Sequence, residues 1–113
     1  MGRDGVQLGE LEELVLLAVL RLGEEAYGAR IREELAEEAG RSASIGTIYV
    51  TLMRAEEKGW VRSWMGDPSN VRGGKAKRHF AVQPEGVVAL ERARQVREHM
   101  WSGVPVRRRS HAR

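Results

Sequence analysis

The chain has 113 residues, 42% hydrophobic and 31% charged, which allows one domain around one modest core and is the composition of a globular chain, not of one disordered throughout. It has no cysteine, so disulfides and thiolate metal sites are out, and its longest apolar run, Leu14 to Leu20, is too short to cross a bilayer. The net charge of +3 hides an asymmetry: residues 1–59 carry seven Lys/Arg against twelve Asp/Glu, and residues 60–113 carry twelve against four. Basic charge gathered in one region is the footprint of a polyanionic partner.

Residues 8–22 read as a helix, with Leu8, Leu11, Leu14, Val15 and Ala18 at helical spacing. From Leu14 onward nearly every face is apolar, so this helix is expected to be covered on several sides, and Gly23 stops it. A second helix is predicted over 27–39, with Ile31 and Leu35 inward and Gly40 as its C-terminal stop. Arg41-Ser42-Ala43 then connects to Ser44, a good N-cap for a third helix over about 45–58 with Ile48, Leu52 and Ala55 inward.

After Gly59 the period changes. Residues 60–65 and 77–82 are short runs rich in β-branched and aromatic residues, separated by a stretch dense in Gly, Pro, Ser and Asn. They predict a β-hairpin with a cationic tip. Pro84 opens a fourth helix to about Ser102, ended by Gly103 and Pro105.

The predicted class is mainly α (α+β). It is a winged helix-turn-helix over residues 8–83, a C-terminal dimerisation helix over 84–102, and a disordered basic tail over 103–113.

The third helix carries the most specific signal. A helix that enters the major groove needs small, hydrogen-bonding side chains at its N-terminal end, and Ser44, Gly46, Thr47 and Thr51 meet that need. Tyr49 offers a hydroxyl to a phosphate, the free N–H groups of the first turn suit an anion, and Arg54 adds a cation. The plainer reading is an ordinary amphipathic helix with a Ser cap. In the hairpin, Arg72, Lys75, Lys77 and Arg78 stand among or beside glycines, where cations can follow a phosphate backbone or enter a minor groove. The plainer reading there is a basic tip that blocks edge pairing. On the fourth helix Ala89, Ala93, Val96 and Met100 form a short seam with Trp101 beside it, a dimerisation surface or a face packed on its own domain.

Catalysis finds no support. The three histidines are scattered at 79, 99 and 111, and neither a nucleophile elbow nor a zinc-protease motif occurs. Gly73-Gly74-Lys75-Ala76 fails as a phosphate loop, with Ser69 where the first glycine should stand and Ala76 where the hydroxyl should be. No cofactor and no metal is expected.

Several of these motifs together resemble the PadR family of bacterial transcriptional regulators. The resemblance rests on Tyr27-Gly28, on Gly46-Thr47-Ile48-Tyr49 with the run Leu52 through Gly59, on the basic-aromatic stretch Arg72 to Phe80, and on Pro84-Glu85-Gly86. It covers about residues 8–102. The family often has Pro after the recognition-helix tyrosine, where this chain has Val50. The resemblance is to the short members, which dimerise mainly through the last helix and the N-terminal region. It implies a homodimeric repressor that binds palindromic double-stranded DNA in the cytoplasm.

Multidrug-binding members stack flat aromatic compounds on a fourth-helix Trp; counted from Gly86, that position falls near Arg97, with Trp101 one turn later. Release by a small aromatic ligand therefore stays open. A winged-helix module for RNA or a protein partner is the alternative, and no membrane partner is expected.

Overall fold

The computed structural model describes residues 8–67 and 76–105. Helix α1 (Glu10–Leu22) is followed by a 3-10 turn (Gly23–Glu25), α2 (Gly28–Ala39), α3 (Ile45–Glu57), strands β1 (Val61–Met65) and β2 (Arg78–Val82), and α4 (Pro84–Ser102). The expected order of helices and hairpin is the observed one.

One core holds the helices together. Val15, Leu16 and Val19 of α1, Ile31 and Leu35 of α2, Ile48 and Leu52 of α3 and Phe80 of β2 are all essentially inaccessible. The coverage of α1 is less complete than its sequence suggests. Leu17 and Leu20 remain 39% and 47% exposed, on the side next to α4. Ion pairs link the ends of α1 to its neighbours: Arg21 to Glu34 on α2, Lys58 of the α3 C-cap to Glu12 at 3.1 Å, and Arg97 of α4 to Glu13 at 2.6 Å. The Glu34 carboxylate, hydrogen-bonded to Arg21, raises that guanidinium's pKa further. In each pair the carboxylate side is largely covered and the cation more open to solvent, so the pairs fix the register of the helices.

The hairpin is antiparallel with Val61 opposite Val82 and Met65 opposite Arg78. Tyr27, predicted as the first residue of the second helix, is instead extended and forms an antiparallel bridge with His79. The Phe80 N–H donates to the Ala26 carbonyl at 3.0 Å, so the link between α1 and α2 acts as a one-rung third strand on the hairpin. A tertiary pairing has overridden the local helical pattern. The hairpin is joined to α4 equally tightly: a Cβ on Gly86 would lie 2.4 Å from the Trp60 carbonyl oxygen.

Candidate nucleic-acid interface

Gly40 ends α2 in the left-handed conformation (φ 61°), and the chain turns through Arg41 to Ser44. Ser44 caps α3 as predicted, its hydroxyl oxygen accepting from the Thr47 N–H at 3.1 Å. Ser44, Gly46, Thr47 and Arg54 are exposed, whereas Tyr49 and Thr51 are half-buried. Arg54 makes no hydrogen bond or ion pair among the described residues. Its guanidinium is free to meet an external acceptor. The hydroxyls are less free. Ser44 donates to Thr47 Oγ1 at 3.0 Å, and Thr51 donates back to the Thr47 carbonyl at 2.8 Å.

Beside α3 lies the root of the hairpin. Lys77 Nζ sits 4.4 Å from the centroid of the Tyr27 ring, and the Arg62 guanidinium 4.6 Å from that of Trp64. His79 is held between those two rings, stacked on Trp64 and edge-on to Tyr27, with its Nδ1 buried and unpartnered. Arg78 is tied inward. Its Nη1 donates to Ser63 Oγ at 2.9 Å, and that hydroxyl donates to the Glu56 carboxylate at 3.1 Å. Lys77, Arg78, Tyr49 and the N-terminal residues Gly28 and Ala29 of α2 line one groove. It combines two cations, a phenol and a helix end with unsatisfied N–H groups, the donors that a phosphate needs. Arg72 and Lys75 lie outside the described residues.

On α4, Gly86 and Leu90 are buried against the domain and Ala89 and Ala93 are half-buried. Val96, Met100 and Trp101 are 59%, 66% and 66% exposed. The second half of α4 therefore extends beyond its own core with an apolar face uncovered. Between α4 and α1 runs a groove floored by Leu17, Leu20 and Leu90, with Trp101 at its edge.

The family model for the transcriptional regulator PadR-like family matches residues 16–92, which take in the second half of α1, all of α2 and α3, both hairpin strands and the first half of α4. The chain belongs to the PadR-like family.

Solved structures agree. A PadR family transcriptional regulator from Eggerthella lenta shares 26% identity at a TM-score of 0.64, over 83% of this chain and 81% of that one. A Streptococcus transcriptional regulator shares 27% at 0.65, over 81% and 85%. A transcriptional regulator from Clostridium thermocellum, at 17% identity and a TM-score of 0.67 over 81% and 84%, shares the fold. No curated protein matches the chain.

These are regulators, not enzymes, and DNA binding follows from the family. Among the described residues no cluster of His, Asp or Glu could hold a metal ion, and no helix is long and apolar enough to cross a membrane.

In this PadR-like chain the structure brings Ser44, Gly46, Thr47, Thr51 and Arg54 to one side of α3, and Tyr49, Lys77 and Arg78 to the adjoining groove. Sequence reasoning passed over Arg62 and the α2 N-terminus. Strand alternation, which sets Arg62 beside Trp64 on one face, could have flagged the first. It also passed over Met53 and marked Val50 only as a departure from the family's Pro; both are exposed apolar residues away from the inward stripe of α3.

Proposed function

We infer that the protein is a cytoplasmic repressor that binds a palindromic operator as a homodimer, with α3 in the major groove and the hairpin as its wing. The observation that carries this is the unpaired, exposed Arg54 on α3, next to a groove that gathers Lys77, Arg78, the Tyr49 hydroxyl and the α2 N-terminus. Ser44, Gly46, Thr47 and Thr51 bring the backbone of α3 close to DNA, and Arg72 and Lys75, which lie between β1 and β2 in sequence, add two further cations for the phosphates. Ala89, Ala93, Val96, Met100 and Trp101 form the dimer seam, supported by the exposed apolar half of α4 and the open Leu17–Leu20 face of α1. In such a dimer the two recognition helices stand about 34 Å apart, one turn of DNA.

Sedimentation together with a gel-shift assay on DNA upstream of its own gene tests the reading. A dimer and a discrete shifted band are expected, whereas a monomer at micromolar concentration that shifts no DNA refutes it. The aromatic edge of the α1–α4 groove supports release by a flat aromatic ligand as a second reading. That requires a compound that quenches Trp101 and frees the DNA. A module for RNA or protein has less support, because the cations and free N–H groups lie beside the solvent face of a helix-turn-helix.

A further inference from the structure

Part of the crest of α3, the face farthest from the core, is apolar. Gly46, Val50 and Met53 follow one another there at helical spacing, with the exposed Arg54 beside them one turn after Val50. Val50 is 51% and Met53 45% exposed. The hydroxyls flanking this line are engaged within the helix: Ser44 donates to Thr47, and Thr51 donates to the Thr47 carbonyl. In that arrangement the side-chain protons left to offer from this part of α3 are those of the Thr47 hydroxyl and the Arg54 guanidinium. Hydrogen-bonded readout from this face therefore falls to Thr47 and Arg54, and Val50 between them in sequence can offer only an apolar contact.

The major groove displays one apolar group, the 5-methyl of thymine, and small apolar side chains contact it. We propose that Val50 is a specificity-determining residue that packs on thymine 5-methyl groups, so that each half-site carries thymine beneath it. Met53, one turn further along the crest, covers the same apolar contact from its C-terminal side. Gly46, one turn before Val50, keeps the first turn low enough for the helix to enter. A Cβ there would meet nothing closer than Ser44 Oγ at 3.9 Å, so packing inside the protein does not demand a glycine. The inference rests on the DNA-binding reading given above and adds what the helix reads.

The test begins with the full chain selecting sites from random duplex DNA. Thymines of the selected half-site are then replaced singly by deoxyuridine, which removes the methyl and leaves every hydrogen-bonding atom in place. Binding is followed by fluorescence anisotropy. At one or two positions per half-site the loss should be about fourfold for each methyl no longer buried. Val50→Ala, at a half-exposed position outside the core, should fold normally by circular dichroism. It should bind the thymine site as weakly as wild type binds the uracil site, and should show no further loss on uracil. Selected half-sites without thymine, neutrality of every uracil substitution, or full uracil sensitivity in Val50→Ala each overturn the proposal while leaving DNA binding intact. Failure to enrich any sequence overturns the DNA-binding reading itself, and the proposal with it.

Discussion

The ring of Tyr49 lies across the Cα of Gly28, and a Cβ on Gly28 would stand 3.1 Å from its Cε2, Cζ and hydroxyl oxygen. Phe80 holds the other side of that ring at 5.9 Å between centroids. The first residue of α2 thus fixes where the phenol of α3 can sit. Gly28→Ala forces the ring to move by a few tenths of an ångström, which a side chain's end can do at a cost of under about 1 kcal/mol in stability. A phosphate contact made by the hydroxyl would be more demanding. Gly28→Ala and Tyr49→Phe are both expected to weaken operator binding about two- to tenfold, the worth of one hydrogen bond. Neither removes a cation, so the slope of log affinity against log salt should stay unchanged. Unaltered binding by Tyr49→Phe would show that the hydroxyl meets no phosphate.

Gly46 separates stability from binding. Glycine within a helix costs roughly 0.5–1 kcal/mol relative to alanine, and nothing in the protein crowds a methyl at this position. Gly46→Ala should therefore raise the urea midpoint while lowering operator affinity, because the added methyl meets only the incoming DNA. A variant that gains stability and keeps its affinity would place DNA away from the first turn of α3.

The helices were legible in the sequence because each carries its own punctuation. Ser44 caps α3 through its own hydroxyl, Gly40 closes α2 in the left-handed region, and Pro84 opens α4 at the predicted residue. The bridge from Tyr27 to His79 was not legible. It joins residues far apart in sequence and leaves no periodic trace, so the helical pattern claimed Tyr27. The candidate contacts divide in the same way. Residue types and spacing placed Thr47, Thr51 and Arg54 on one helix, but only coordinates reveal which hydroxyls are already bonded within it. Arg78, a basic residue at a wing root, looked equivalent to Lys77 until its link to Ser63 and Glu56 was seen.

That link sets Lys77 and Arg78 apart. Lys77→Ala removes a cation that lies over the Tyr27 ring and faces the groove. Affinity should fall alike for every DNA sequence, and the salt slope should flatten by about 0.9 for each lost phosphate contact. Arg78→Ala should in addition lower thermal stability, since it leaves the Ser63–Glu56 pair without its donor. Arg54→Ala is expected to relax discrimination among operator variants beyond any uniform loss. Equal effects of all three substitutions on specific and non-specific DNA, measured by titration at several salt concentrations, would contradict this division.

The uncovered half of α4 makes the last prediction. Val96, Met100 and Trp101 each expose more than half of their surface, and Arg97 between them is held by Glu13 of α1. Burying a large apolar side chain contributes about 1.5–3 kcal/mol, so covering them with a second copy of this seam would bring considerable gain. Val96→Glu places a charge in the seam without touching the domain's core. It should convert the dimer to a monomer by sedimentation and leave the thermal transition of the domain recognisable. Operator affinity should drop with it, because one half-site alone retains only part of the contacts. Trp101 supplies an independent readout. Its emission, isolated by subtracting that of Trp101→Phe, should shift to shorter wavelength as wild-type concentration rises through the dissociation constant, and should stay red-shifted in Val96→Glu. A Trp101 spectrum independent of concentration, in a protein that sediments as a dimer, would move the dimer contact off α4.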